Sequence, residues 1–365
     1  MRAGVLLAAG GTGGHMVPAD ALSAELCRRG HRVALVTDER GLRFPGLFLG
    51  VERHVVPAAT LAPSRPWGWP RGLITIGRGR RAARRLIRSK ALGAVVGFGG
   101  YPSFPALLAG QAERVPTILH EQNAVVGRAN RLLARRAALL ALGFAETARL
   151  PSGCRAVHVG NPVRDEVLHH RDAPFRPPPA DAPFRLLVVG GSQGARVFSE
   201  LLPLALAGLA PAKRARLVVA HQARPEDLER AEAAYRAAGI AAECVPYWVD
   251  LPARMADAHL VVARAGASTL AELTAMGRPA ILIPYPAATD DHQWANARPF
   301  AAAGAGVVVR EADATPARVA GLIEGFLASP EALATAAAAA RSLGVPDAAR
   351  RLADLIEAQL EGAAR

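Results

Sequence analysis

The 365 residues exceed the size at which one hydrophobic core keeps growing, so two domains of ordinary size are expected. Hydrophobic residues make up 51% and aromatic residues 5%, a balance that favours α/β or helical architecture over a β-sandwich. A net charge of +13 calls for an anionic partner, nucleic acid or an anionic lipid surface, and the placement of the charge decides between them.

In chain order the first strand-like run is VLLAA (5–9), within an apolar stretch too short for a secretory leader and without a cleavage site. It hands over to Gly10-Gly11-Thr12-Gly13-Gly14-His15 and then to an amphipathic run, MVPADALSAEL, that continues to about Arg29, with Gly30 as the helix stop. Glycine tolerates positive φ and lets a ligand approach the backbone closely. Four glycines in six residues at a strand-to-helix junction therefore predict a loop shaped around a phosphate. The loop is neither a G-x-G-x-x-G fingerprint, because Met16 stands at the third glycine, nor a P-loop, because no Lys-Ser/Thr follows.

Strand-like runs continue at VALVT (33–37), AVVGF (94–98), TIL (117–119), ALLAL (138–142) and AVHV (156–159), with helical pattern between them. Residues 171–183, RDAPFRPPPADAP, are too proline-rich for a helix or central strand and read as a linker or surface loop. The rhythm then restarts at RLLVVGG (185–191), RLVVA (216–220), LVVA (260–263), AILIP (280–284) and GVVV (306–309). From Ser329 onward the chain is alanine-rich without strand signals and reads as terminal helices. Two βαβ halves with mostly parallel sheets follow, and a ligand is expected outside the carboxyl ends of the strands, in one shared cleft.

The second half opens on a similar loop, Gly190-Gly191-Ser192-Gln193-Gly194-Ala195-Arg196. A third loop runs from Arg264 to Glu272, and its Thr269-x-x-Glu272 has two readings. One is a capping box with Thr269 as the N-cap; the other is a carboxylate that accepts hydrogen bonds from ribose hydroxyls. The local sequence leaves both open. Cys27, Cys154 and Cys244 are odd in number and widely spaced, which argues against a disulfide framework or zinc site and for a reducing compartment. No run approaches the ~18 to 20 apolar residues of a membrane-spanning helix.

Residues 65–90, RPWGWPRGLITIGRGRRAARRLIRSK, carry nine Lys or Arg and no acid. Trp67, Trp69, Leu73, Ile74, Ile76, Leu86 and Ile87 alternate with Arg80, Arg81, Arg84 and Arg85, a composition suited to an anionic bilayer surface, with tryptophan at headgroup level. That placement favours lipid over nucleic acid as the anionic partner.

Taken in order, GGTGGH (10–15), GFGGYPSFPA (97–106), HEQNAVVGRAN (120–130), GNPVR (160–164), GGSQGAR (190–196), ARAGASTLAEL (263–273) and DDHQWANA (290–297) resemble the bacterial peptidoglycan N-acetylglucosaminyltransferases. The resemblance implies the GT-B fold, an α/β architecture of two Rossmann-like parallel-sheet domains facing a cleft. Residues 1–163 would form the acceptor and membrane-side domain, 164–344 the UDP-GlcNAc domain, and a helix at about 345–365 would pack back on the first.

By the same resemblance, Ser192 and its neighbouring amides cradle the donor diphosphate, and Val249 reads uracil through its backbone. Ala267, Ser268, Thr269, Leu270, Ala271 and Glu272 form the nucleotide segment, with Glu272 on the ribose, and Gln293 and Asn296 contact the GlcNAc hydroxyls. Thr12, Gly13, Gly14, Asn123 and Arg164 line the donor from the opposite side, and Gly99, Gly100 and Tyr101 lie on the acceptor side. The implied reaction moves GlcNAc from UDP-GlcNAc to the C4 hydroxyl of MurNAc in lipid I, with inversion, giving lipid II. Undecaprenyl-pyrophosphoryl-MurNAc-pentapeptide and the cytoplasmic face of the cell membrane are then partners, cell-wall synthesis proteins are possible ones, and nucleic acid is not.

An attacking hydroxyl benefits from a general base with a near-neutral pKa, for which His15 is the first candidate and Glu121 the second. The leaving diphosphate needs fixed donors or a metal. No D-x-D pattern occurs and Asp290-Asp291 has the wrong spacing, so glycine-loop amides are expected to serve, with no obligatory metal or other cofactor. A nucleotide-sugar epimerase of the same architecture is the alternative, but it gives the Trp and Arg cluster no purpose. Two departures stand out: His292 replaces a glutamine found in some relatives, and residues 39–50, ERGLRFPGLFLG, do not align with the family.

Overall fold

The computed structural model describes residues 3–44, 46–59, 66–191 and 194–364. In chain order the first elements are β1 (Gly4–Ala8), α1 (Gly13–Arg28), β2 (Arg32–Thr37), β3 (Glu52–Val55), α2 (Trp69–Ser89), β4 (Leu92–Gly97) and α3 (Ser103–Ala112). They continue with β5 (Thr117–Glu121), α4 (Arg128–Leu133), β6 (Leu139–Leu142), β7 (Ala156–His158) and α5 (Asp165–His169). Next come β8 (Phe184–Val189), α6 (Arg196–Ala207), α7 (Pro211–Arg214), β9 (Leu217–Gln222), α8 (Leu228–Ala237), β10 (Ala241–Val245) and α9 (Leu251–Asp257). The chain closes with β11 (Leu260–Ala263), α10 (Ala267–Met276), β12 (Ala280–Leu282), α11 (His292–Ala302), β13 (Gly306–Val308), α12 (Pro316–Ala328), α13 (Pro330–Ser342) and α14 (Ala348–Ala364). Contacts divide them into two compact units, Met1–Arg164 with Pro346–Arg365, and Asp165–Val345.

The first unit holds a seven-stranded sheet in the order β3-β2-β1-β4-β5-β6-β7, and every pairing is parallel. β1 is buried throughout because both faces of a parallel sheet are covered by helices. Its alternate residues serve opposite layers. Val5 and Leu7 pack with Leu22 and Leu26 of α1 and with Leu352 and Ile356 of α14, whereas Leu6 and Ala8 pack with Ala83 and Ile87 of α2 and Leu107 of α3.

The final helix is thus part of the first unit's core, and ion pairs fix its angle. Arg29 Nη1 lies 2.7 Å from both Asp354 Oδ1 and Glu357 Oε2, and His31 Nε2 lies 2.8 Å from Glu357 Oε1. The hydrogen bond from His31, with Arg29 beside it, holds the Glu357 carboxyl below its ordinary range.

The second unit holds a six-stranded parallel sheet in the order β10-β9-β8-β11-β12-β13. Phe184, Leu186 and Val188 of β8 pack with Phe198 and Leu202 of α6 and with Val319 and Ile323 of α12. In each sheet the strand order reverses beside the unit's first strand, between β1 and β4 and between β8 and β11, which opens a crevice at the carboxyl ends of those strands.

Two strands escape the apolar-run reading, β3 with the sequence ERHV and β10 with AAECV. Both are sheet edges, partly solvated and carrying polar side chains, so neither shows the continuous apolar run of the central strands. The proline-rich 171–183 segment contains no helix or strand.

Candidate functional site

The first unit's crevice is built by the segments that leave β1, β2, β4 and β5. After β1 the chain turns through Gly10 and Gly11, and α1 starts at Gly13 with Thr12 as an extended N-cap whose side chain makes no capping bond. After β4 it turns through Gly99 and Gly100, at φ +88° and +76°. The two loops touch at backbone distance. A Cβ on Gly100 would stand 2.5 Å from Gly10 O, so any side chain there would force the loops apart. Ser103 Oγ, 2.5 Å from Ala8 O and 2.6 Å from Gly99 O, ties the same two segments together, and Tyr101 is exposed beside them.

His15 lies in the first turn of α1. Its Nδ1 is 3.1 Å from Gly10 O and 3.3 Å from Thr12 Oγ1. A carbonyl oxygen only accepts, so this contact places the ring proton on Nδ1 and makes Nε2 the proton-accepting nitrogen. The Nε2 edge faces the second glycine loop, 3.0 Å from where a Cβ on Gly99 would stand. Loop and helix together therefore orient the imidazole, as a triad's third member orients its histidine.

Glu121, the second candidate base, is placed differently. Its side chain sits in a residue that is 3% exposed, and both oxygens are engaged. Oε1 accepts from Asn123 N at 3.1 Å and Asn123 Nδ2 at 3.3 Å, and Oε2 accepts from Gly127 N and Asn130 Nδ2, both at 2.8 Å. A carboxylate with four donors is committed to holding the 121–130 turn, and this geometry argues against the expectation that it takes the substrate's proton.

The neighbouring pair extends the network. His120 Nε2 donates to Gly160 O at 3.0 Å, Gln122 Nε2 lies 3.0 Å from His120 Nδ1, and Asn161 Nδ2 donates to Gln122 O at 3.0 Å. Burial pushes the His120 imidazole down to about 4, so it is neutral at physiological pH and acts as a strut between β5 and the GNPVR segment. Asn123 and Arg164, in the same two segments, are half-buried.

Two further residues at this edge were missed in the sequence. Asp38 and Arg40 follow β2, in or beside the segment that does not align with the family. Asp38 Oδ1 accepts from Gly11 N at 3.2 Å and Gly41 N at 3.0 Å, and Oδ2 accepts from Arg40 Nε at 3.1 Å and Nη2 at 2.7 Å. The Arg40 guanidinium lies 4.9 Å from the centre of the Tyr101 ring. The available signal was only an Asp and an Arg just past a strand end, on an edge already marked by glycines.

In the second unit, Ser192 and Gln193 lie outside the described residues. Their flanks form a tight turn, with Gly194 N donating to Gly191 O at 2.9 Å. A Cβ on Gly190 would stand 2.3 Å from Ala195 N, so glycine is required where β8 hands over to α6. Val249, between β10 and α9, is 86% exposed, and Trp248 is buried beside it under Arg254.

The capping-box reading of Thr269 and Glu272 is incorrect. α10 begins at Ala267 with Gly266 as its N-cap, so Thr269 is already the third helical residue and Glu272 lies farther along, 7% exposed. Ser268, Thr269 and Ala271 are half-buried, while Ala267 and Leu270 are buried.

Arg264 fastens this helix start to the next strand. Its Nη1 donates to Ile283 O at 3.0 Å and Pro284 O at 3.2 Å, and Nη2 pairs with Glu311 at 2.5 Å. On α11, Asn296 Nδ2 donates to Ala265 O at 3.2 Å and Gln293 Oε1 accepts from Tyr285 N at 2.9 Å, so both residues brace the same loops.

The basic segment forms α2. Trp67 (77%), Leu73 (56%) and Ile74 (58%) are exposed, Trp69 is partly so, and Arg80, Arg81 and Arg85 face solvent. Ile76 and Ile87 instead belong to the core. Arg84 is not a free surface cation either, since it pairs with Glu113 at 2.5 Å, alongside Arg88 at 2.6 Å. Among the described residues no helix is long and apolar enough to cross a membrane, and no group of three His, Cys, Asp or Glu is placed to hold a metal ion.

The model of the glycosyltransferase family 28 N-terminal domain matches residues 5–141, and that of the family 28 C-terminal domain matches 185–352. The chain is 53% identical over 354 residues, 96% of its length and 91% of the relative's, to the UDP-N-acetylglucosamine–N-acetylmuramyl-(pentapeptide) pyrophosphoryl-undecaprenol N-acetylglucosamine transferase of Novosphingobium aromaticivorans. It is 53% identical over 356 residues, 96% of its length and 95% of the relative's, to the protein of the same description from Methylobacterium nodulans. The crystal structure of Acinetobacter baumannii MurG superposes with a TM-score of 0.78 at 30% identity, covering 98% of this chain and 99% of that one. A Listeria monocytogenes structure described as a putative UDP-N-acetylglucosamine 2-epimerase superposes at 0.74 over 99% and 98%, but at 13% identity it shows the shared fold alone.

For the 121–130 turn, Glu121→Gln turns one acceptor oxygen into a donor facing donors. It is expected to lower stability by about 1–3 kcal/mol in denaturant unfolding and to speed amide exchange at Gly127.

Proposed function

The chain belongs to glycosyltransferase family 28, and from that footing we infer that it transfers N-acetylglucosamine from UDP-N-acetylglucosamine to the C4 hydroxyl of the N-acetylmuramyl residue of lipid I, forming lipid II. The observation that carries the chemical part is the His15 imidazole, oriented through Nδ1 by Gly10 O so that Nε2 accepts a proton.

The acceptor's C4 hydroxyl gives its proton to His15 Nε2 as its oxygen attacks the anomeric carbon of the donor sugar. The bond from that carbon to the diphosphate oxygen breaks, UDP leaves with the electron pair, and the configuration inverts from α to β. In the second unit, the amino end of α6 supplies amides for the leaving charge, and Ser192, outside the described residues, is assigned to the same task by the resemblance. Val249 meets the uracil, Glu272 the ribose and Gln293 the sugar, while Asn296 acts by holding Ala265 in place. Thr12, Gly13, Gly14, Asn123 and Arg164 are the first unit's contribution to donor contact, and Gly99, Gly100 and Tyr101 serve the acceptor. No obligatory metal enters this scheme. The lack of a D-x-D pattern and the glycine-loop amides support that reading.

The enzyme acts as a peripheral protein on the cytoplasmic face of the membrane. The exposed Trp67, Leu73 and Ile74 beside Arg80, Arg81 and Arg85 support it, since an apolar tip flanked by cations suits an anionic interface.

His15→Ala is expected to lower kcat by about 10²- to 10⁴-fold with UDP-N-acetylglucosamine affinity unchanged, measured with radiolabelled donor and a short-chain lipid I analogue. Near-normal turnover would remove His15 from the chemistry. The Leu73→Ser/Ile74→Ser protein is expected to lose most of its co-sedimentation with phosphatidylglycerol vesicles at moderate salt, and undiminished binding would move the docking surface elsewhere.

A further inference from the structure

We propose that Arg40 is an acceptor-binding residue that grips the diphosphate of the lipid-linked substrate, with Asp38 as the group that aims it. The proposal rests on the acceptor assigned above, which carries a diphosphate of its own, distinct from the one in the donor.

Position comes first. Arg40 follows β2, the strand beside β1, so its side chain emerges at the carboxyl edge of the sheet where the two glycine loops meet. It lies over the first of them, since a Cβ on Gly11 would stand 2.9 Å from Arg40 Nη2 and 3.3 Å from Cζ. Gly11, at φ +85°, is therefore doubly constrained, by its backbone and by the guanidinium above it.

The guanidinium is also fixed in direction. Nε and Nη2 both donate to Asp38 Oδ2, and the plane rests on Tyr101. Among the described residues nothing engages Nη1, and the side chain is 45% exposed. A half-exposed arginine whose Nε edge is clamped and whose Nη1 donors are not engaged by the described residues is prepared to bind a second anion. Because Asp38 Oδ1 accepts from Gly11 N, one carboxylate fixes both the loop and the cation, so the spacing between them is rigid.

The surroundings favour an anion there. α1 is 16 residues long, with no acid in its first turn and no side-chain capping bond at its N-cap, so the Asp38 carboxylate that accepts from Gly11 N is the acid that meets its positive end. Arg40 and this helix end offer donors of two kinds over a short span, which suits two linked phosphates better than one. Among the described residues Asp38 is the acid that pairs with Arg40. A purely structural clamp would need neither the unengaged Nη1 nor the aromatic shelf.

The test is steady-state kinetics of Arg40→Gln and Arg40→Lys with UDP-N-acetylglucosamine and a short-chain lipid I analogue, together with inhibition by a short-chain prenyl diphosphate lacking the sugar. For Arg40→Gln the acceptor KM is expected to rise roughly tenfold to a hundredfold, with kcat and donor KM within about twofold. Arg40→Lys is expected to recover part of that loss. The prenyl diphosphate should compete with the acceptor in the wild type and lose potency by a similar factor in Arg40→Gln. An unchanged acceptor KM, an equal loss of donor affinity, or equal inhibition of both proteins would each overturn the proposal while leaving transferase function standing. Absence of any transfer by the wild type would overturn the functional reading and this proposal with it.

Discussion

The contact between two glycine loops governs the rest of the first unit. Gly100 lies against the carbonyl of Gly10 so closely that no Cβ fits, and that same carbonyl receives the Nδ1 proton of His15. One oxygen thus sets both the separation of the β1 and β4 loops and the tautomer of the proposed base. The switch between β1 and β4 in the sheet order is what brings the loops side by side, and Ser103, bonded to the end of β1 and to Gly99 in the loop after β4, keeps them there. The glycines therefore do more than leave room for a phosphate. They bring backbone close enough to backbone that a carbonyl can serve as a histidine's orienting partner.

Around this contact several buried polar groups are engaged in networks that link one loop to the next. Glu121 holds the 121–130 turn with four donors, His120 braces the segment at Gly160, and Asp38 joins Gly11 to Arg40. In the second unit Arg264 does the equivalent work, drawing the start of α10 towards the end of β12 while Asn296 holds Ala265. Such networks are costly to build partly and rigid when complete. They suit a site whose chemistry depends on fixed amides and a fixed imidazole.

Much of this was legible in the sequence because the central strands of a parallel sheet are apolar on both faces. VLLAA, AVVGF, RLLVVGG and LVVA announce themselves, and the glycine clusters after them mark the crevice edge. Edge strands such as ERHV and AAECV were not legible, since half-solvated positions carry no apolar run. The Thr269-x-x-Glu272 pattern misled for a related reason: a capping box is a local signature, but the helix is capped at Gly266, three residues before the Thr269 that the pattern implied. Glu121 stood as the second candidate base, and its four partners, invisible in the sequence, argue for a holding role instead. Arg84 likewise read as surface charge until Glu113, distant in sequence, claimed it.

The most direct test of the central claim is the tautomer of His15, read from long-range ¹H–¹⁵N correlations in ¹⁵N-histidine-labelled protein, with the His15→Ala protein supplying the assignment. The account predicts a neutral ring with its proton on Nδ1 and an unprotonated Nε2 at the pH of catalysis. A proton fixed on Nε2 in the neutral ring would contradict it, because the carbonyl of Gly10 would then not be the group that aims the base.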